Sequence, residues 1–338
     1  MTTYKELKGT NIEVNSSDPS NPVEGQVWFN STSNVLKGLR PNLTGAWSTG
    51  GNLNRRVNGN AVVGNSTNAL SFAGVNDPPV TPPNGYTNKT EAYDGTSWTE
   101  VNNLNTKRYG PFRTGPDNTS ALCASGFISP STNTVNVEQW NGTNWTEVNN
   151  INTSRQRGGS SNGPLTSALA FGGYDYSPTY TNKTESWNGT NWTEVNDLNT
   201  ARYRPGAAGA DNTSALAFGG QTPTVQNVTE SWNGSNWTEV NNLNTARGAA
   251  GSAGATSASA LFFGGNQPNP GGSTITEEWS GTNWTEVADM NTGRESLAMG
   301  TGTTSSALAI GGLISDTASA LAEEWSSSST TTKTVSAI

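Results

Sequence analysis

The stretch Trp187-Asn188-Gly189-Thr190-Asn191-Trp192-Thr193-Glu194-Val195 returns almost letter for letter as Trp232-Asn233-Gly234-Ser235-Asn236-Trp237-Thr238-Glu239-Val240. Its second Trp falls at Trp98, Trp145, Trp192, Trp237 and Trp284, in steps of 47, 47, 45 and 47 residues, and Trp47 precedes the series by 51. The first aromatic of the pair is Tyr93, Trp140, Trp187, Trp232, Trp279 and Trp325. Eleven of the twelve tryptophans thus sit in repeat slots, and only Trp28 lies outside. Each repeat brings its own bulky ring to bury, and a period of about 45–50 residues is that of a four-stranded propeller blade. The spacing predicts an all-β chain folded as a β-propeller.

Within one repeat the strands are legible. Gly206-Ala207-Ala208-Gly209-Ala210 is a small-residue segment suited to an inner strand, and Asp211-Asn212-Thr213 is turn chemistry. Ser214-Ala215-Leu216-Ala217-Phe218 reads as a second strand ending at Gly219-Gly220, where positive φ or close backbone approach is needed. Thr229-Glu230-Ser231-Trp232 is the third, Asn233-Gly234 a hairpin turn signal, and Trp237-Thr238-Glu239-Val240 the fourth. The landmarks repeat: Arg56, Arg108, Arg155, Arg202, Arg247 and Arg294 open the repeats. Second strands end at Gly74, Gly126, Gly173, Gly220, Gly265 and Gly312, and a Glu stands two positions before each third-strand aromatic, from Glu91 to Glu323.

The count is six blades, with seven the alternative if the N-terminal segment folds as a degenerate blade. Trp47 behaves as a fourth strand with no first three, while the last repeat has three strands and then loses the pattern in Ser326–Thr330. Pairing of the two would complete a ring and remove an exposed edge. The competing closure uses Thr332-Lys333-Thr334-Val335. Domain boundaries follow: an N-terminal attachment arm over residues 1–44 and a propeller over 45–338. In the arm, Val27 and Phe29, a polar turn, then Val35 and Leu36 predict a short β-hairpin.

Composition narrows the function. A net charge of −8 disfavours nucleic acid and anionic membranes as partners. No apolar run approaches the roughly 20 residues that span a bilayer, so no membrane insertion is expected. The N-terminal Met1–Glu6 is too polar for a secretory signal. The lone Cys123 reads as a buried structural thiol. With no histidine, Ser-His-Asp catalysis and ordinary zinc sites fall away, and no cofactor or metal is expected. Carboxylate-only glycoside hydrolysis survives formally, but no carboxylate pair stands out from the repeat.

The order Arg, Gly-Gly, Glu-x-Trp, Trp resembles the kelch motif over residues 47–325. The wording Trp-Asn-Gly-Thr-Asn-Trp with Leu-Asn-Thr-Ala-Arg and Ala-Leu-Ala-Phe-Gly-Gly is similar to kelch-like propellers of tailed phages of marine bacteria, cyanophages among them. The head segment, Pro22 to Gly38, resembles the start of phage virion and fibre proteins. The resemblance implies a virion structural protein, assembled in the host cytoplasm. It would be a fibre, tip or decoration subunit whose residues 1–44 dock to other virion proteins, present in multiple copies per particle. Copper oxidases on the kelch fold need histidine ligands, which this chain lacks.

The repeat arginines and Trp140, Trp187, Trp232 and Trp279 are expected to be structural. Candidate ligand contacts come from where the repeats differ, in the loops between strands two and three and between strand four and the next strand one. Those loops carry Tyr86, Tyr109, Phe112, Phe127, Tyr174, Tyr176, Tyr180 and Tyr203, near Lys107, Arg157 and Arg204. Aromatics on loops of a rigid scaffold suit sugar rings or protein; the alternative is that they cap the sheets against solvent. The expected function is non-enzymatic: adhesion to a host-surface glycan or protein, or a purely architectural place in the particle.

Overall fold

The computed structural model describes residues 12–20, 26–41, 45–76, 85–129, 131–175, 180–267, 272–298, 302–327 and 330–335. They form two compact units, residues 46–326 and the two termini together, residues 1–45 with 327–338. The larger unit is propeller-like and all-β, built of repeated four-stranded antiparallel sheets. In chain order these are sheet 1 (61–101), sheet 2 (112–148), sheet 3 (159–195), sheet 4 (206–240), sheet 5 (251–286) and sheet 6 (302–326 with 46–49).

Sheet 4 shows the pattern. Strands Gly206–Gly209, Ala215–Phe218, Thr229–Trp232 and Trp237–Val240 pair in sequence order. The first two are buried throughout, whereas the fourth is buried only at its Trp. The turn before the fourth strand spans four residues, because Trp232 pairs directly with Trp237. Asn233 organises it by accepting the amides of Ser235 and Asn236 on its Oδ1, and Gly234 supplies φ +91°. At the diglycine, Gly219 has φ +61°, and a Cβ there would stand 2.6 Å from the Arg247 carbonyl.

In sheet 6, Trp47 pairs with Trp325 and Thr49 with Glu323, so the earliest strand of the unit completes its last sheet. Six apolar clusters each span two consecutive sheets. One of them joins Leu308 and Ile310 of sheet 6 to Val62, Ala69 and Trp98 of sheet 1.

A buried ion pair holds each linker to the sheet it enters. Arg155 donates from Nη2 to Glu185 at 3.0 Å, Arg247 to Glu277 at 2.9 Å and Arg294 to Glu323 at 3.0 Å; Arg108–Glu138 and Arg202–Glu230 match them. These arginines are completely buried. Each also donates from Nη1 to two main-chain carbonyls, as Arg202 does to Gly219 and Val228. The carboxylate collects the linker amides as well: Glu230 accepts from the Asn199 and Thr200 N–H and from the Asn199 side chain. Meanwhile Leu198 donates its N–H back to Asn182 in the preceding sheet. The Leu-Asn-Thr-x-Arg segment therefore fastens one sheet to the next.

In the first repeat the guanidinium comes from Arg55, not from the expected Arg56. Its linker, Leu53-Asn54-Arg55-Arg56-Val57, puts buried Val57 in the backbone slot held elsewhere by Arg, since Gly312 donates to the Val57 carbonyl as Gly265 does to that of Arg294. Arg55, two residues earlier, reaches Glu91 through Nε at 2.9 Å, and Arg56 is exposed.

The tandem tryptophans divide their labour. The first donates Nε1 to a main-chain carbonyl, as Trp232 does to Asn212. In four cases the second donates to the threonine opening the third strand of the preceding sheet: Trp145 to Thr90, Trp237 to Thr184, Trp284 to Thr229 and Trp47 to Thr276. Trp98, for which Ala322 fills that slot, donates to the Gly51 carbonyl. In those four the ring also meets a Phe edge, at 4.9 Å for Phe72–Trp145 and 4.8 Å for Phe218–Trp284. Trp192 breaks the rule twice. Sheet 2 has Val137 in place of that Thr and Ala124 in place of that Phe, so the Trp192 Nε1 is buried without an acceptor. The ring volume moves across the strand pair instead: Phe112 stands opposite Ala124, where sheets 3, 4 and 5 place Gly opposite Phe.

The smaller unit is a four-stranded sheet in the order Glu13–Asn15, Val27–Asn30, Val35–Pro41 and Thr330–Val335. The expected hairpin is present. Its buried face is carried by Trp28 and Asn30, whereas Val27 is exposed; Trp28 and Asn30 both donate to Asp18. Lys37 also bonds Asp18, and chiefly through that bond holds its carboxyl below the usual range. Thr330–Val335, expected with the propeller, pairs here with Val35–Pro41.

Two outcomes follow. Arg202→Met is expected to cost about 3–5 kcal/mol, because it strands Glu230 as a buried charge; chemical denaturation would measure it. Val137→Thr restores an acceptor for Trp192 and is expected to stabilise by about 1 kcal/mol, with slowed exchange of the Trp192 indole proton.

Candidate functional site

Two residues after each repeat-Arg slot lies a residue with positive φ: Gly59 (58°), Gly110 (57°), Arg157 (53°), Arg204 (53°), Ala249 (53°) and Ser296 (51°). They form a belt of main-chain hydrogen bonds. Gly59 donates to Ser296 at 3.2 Å, Gly110 to Gly59 at 2.9 Å, Arg157 to Gly110 at 2.7 Å, Arg204 to Arg157 at 2.7 Å and Ala249 to Arg204 at 3.3 Å. For a residue with a side chain the left-handed region costs about 1–2 kcal/mol, and the belt bonds offset that.

The aromatic candidates are built on this belt. The residue before each belt position bridges to the residue after the diglycine: Tyr109 to Phe127, Gln156 to Tyr174 and Tyr203 to Gln221. A second bridge extends the annex from Tyr174 to Tyr180. Equivalent slots in neighbouring sheets thereby bring the rings into two groups. Tyr86 stacks on Tyr109 at 6.1 Å and meets Phe127 at 5.3 Å. Tyr174, Tyr180 and Tyr203 lie 5.8–6.1 Å apart. Arg157 ties the groups together: its guanidinium sits 4.1 Å over the Tyr109 ring and donates to the Tyr203 hydroxyl. Arg204 lies 4.9 Å over the opposite partner, the Tyr203 ring.

The expected contact residues thus divide. Tyr86, Tyr174, Tyr180 and Tyr203 are half-buried. Tyr109 and Phe127 are nearly covered, at 8% and 7% exposure. Phe112 is a core residue at 1%, packed with Trp187, Trp192 and Ile151, so it belongs to the sheet 2–3 contact and not to the loop face. Tyr176 lies outside the described residues. Arg157 and Arg204 carry the charge of this face; the signal for them was their position two residues after the repeat Arg, in a slot that is glycine in the first two repeats.

Electrostatically the site is cationic. Burial lowers the Arg204 pKa to about 10 while Glu295 pulls it back up, so the group stays charged at neutral pH. Among the described residues no three His, Cys, Asp or Glu side chains lie together as a metal site. The Cys123 thiol is buried, and burial pushes its pKa up to about 12. No protein-family model and no curated protein matches this sequence.

The division of aromatic roles is measurable. Phe112→Ala is expected to destabilise by about 3–5 kcal/mol, as a large core truncation does. Tyr180→Ala is expected to cost about 1 kcal/mol or less. Paired denaturant melts of the two variants decide the assignment.

Proposed function

We propose that residues 46–326 are a closed six-bladed kelch-like propeller that works as a non-enzymatic binding module, engaging its ligand on the face built from the belt and the two tyrosine groups. The observation that carries this reading is the convergence of Tyr174, Tyr180, Tyr203, Arg157 and Arg204 at two adjacent belt positions. In support of closure, belt bonds pass from Ser296 back to Gly59 and a core cluster joins sheet 6 to sheet 1. Half-buried aromatic rings held by a rigid scaffold offer contact area at low entropic cost.

The motif wording and head segment favour a phage virion component, and the smaller unit suits the docking role. The large apolar side chains that stay exposed among the described residues are Val14 and Val27 of its first two strands and Ile12 just before the first. Val14 pairs in register with Phe29, so these side chains share one sheet face beside an edge strand. Docked in many copies, such modules turn weak contacts into avidity.

The test is binding of the purified full-length chain to bacterial cell envelopes and a glycan panel, beside Tyr174→Ala/Tyr180→Ala. Saturable binding that falls about tenfold or more in the variant, with the unfolding midpoint held, is the expected result. A correctly folded chain that binds neither would leave the architectural role as the better reading.

A further inference from the structure

The belt lines a cavity of about 20 Å³ with all six of its positions, Arg157 and Arg204 among them, joined by Asn60, Tyr109 and Leu297. That is little more than a water-sized probe occupies, so it admits one small group and not a whole ligand. Both arginines also flank the Tyr203 ring, with guanidinium carbons 5.5 and 4.9 Å from its centroid. Each buried repeat arginine from Arg108 to Arg294 has its glutamate. Arg204 does not: the Tyr203 ring and the distant pull of Glu295 are its interactions, with no ion pair or side-chain hydrogen bond among the described residues. A planar guanidinium with five donors, half-buried and reaching solvent, has no protein acceptor among the described residues and is open to a ligand.

The belt's backbone does not explain the pair. Ala249 and Ser296 occupy the same left-handed conformation, so what sets positions 157 and 204 apart is charge. Both guanidinium groups stand beside one small cavity, and an anion seated there is attracted by each. The chain as a whole carries −8, which works against a polyanionic partner and leaves this spot as a local reader of one negative group. The Tyr203 ring packs against both Arg157 and Arg204 and meets Tyr174 and Tyr180, so the three rings offer flat apolar faces of the kind that cover a pyranose.

We propose that this cavity takes the carboxylate of an acidic sugar, with Arg204 donating a two-pronged hydrogen bond, Arg157 supplying the second charge and the tyrosines covering the ring. The inference rests on the binding-module reading and specifies its ligand class. A carboxylate fits the fork of a guanidinium, and its charge-assisted bonds are roughly twice as strong as neutral ones.

Glucuronic acid is the probe, titrated calorimetrically into the full-length chain at low ionic strength, with glucose and inorganic phosphate in parallel. Glucuronate is expected to bind, glucose to bind at least about tenfold more weakly, and Arg204→Met to weaken glucuronate about tenfold or more. Arg204→Lys keeps the charge but loses the fork, so it should fall between the two, which covers the case where the methionine variant folds poorly. Binding should weaken as salt approaches physiological strength. Glucuronate binding no tighter than glucose, or unchanged in both variants, overturns the proposal; so does phosphate binding as tightly as glucuronate. If envelopes or neutral glycans bind independently of Arg204, this inference fails while the binding-module reading stands. If a folded chain binds no sugar and no envelope, both fail.

Discussion

The structure depends on a buried guanidinium–carboxylate pair repeated from sheet to sheet. Taking both ions out of water is costly, and their attraction alone does not reliably repay it. Here the cost is offset because most polar atoms nearby are recruited, the Nε of Arg247 and of Arg294 being left without acceptors. Glu185, for example, accepts from Arg155, from the Asn152 and Thr153 amides and from the Asn152 side chain. Arg155 in turn donates to the Gly172 and Lys183 carbonyls. The pair fixes where a linker stops belonging to one sheet and starts belonging to the next. Strand direction, sheet spacing and the belt position two residues on all follow from it.

The tryptophan ladder supplies the apolar half of the same contact. A ring from one sheet covers a Phe of the sheet before it and donates to that sheet's threonine, so packing and hydrogen bonding are satisfied together. The sheet 2–3 contact departs from this at three places at once. Ala124, Val137 and Phe112 replace the usual Phe, Thr and Gly or Ala, and the packing volume is conserved while a hydrogen bond is lost. Beside it, buried Arg113 donates to Ser160 with Nη1 but leaves Nε and Nη2 without acceptors, and burial lowers its pKa to about 9. This contact is the least well satisfied of the six, and the belt residue next to it, Arg157, is one of the two cations of the candidate site.

Much of the fold was legible because the repeat carries its landmarks at nearly constant spacing. The small-residue first strand, the diglycine, the Glu before the Trp and the Asn-Gly turn each demand a specific backbone or partner, and each appears where that demand predicts. Reading failed where spacing and role part company. Arg56 lies nearer the repeat spacing than Arg55, but Val57 occupies the buried Arg slot of a linker of ordinary length, and the earlier Arg55 reaches Glu91. Phe112 looks like a loop aromatic until its partner Ala124 is seen to leave room for it in the core. In the hairpin of the smaller unit, Val27 and Phe29 marked the strand, while the face that is buried is carried by Trp28.

By itself the sequence determined the period, the strand content, a structural role for the repeat arginines and the lack of histidine. These depend on residue identity and local spacing, which a linear reading contains. Only the tertiary structure decided that Tyr86 joins Tyr109 and Phe127, that Tyr174, Tyr180 and Tyr203 meet, and that Arg157 and Arg204 flank one ring. Those residues are dozens of positions apart in the chain. They meet because successive sheets superimpose equivalent slots, and a slot's neighbours lie one repeat away.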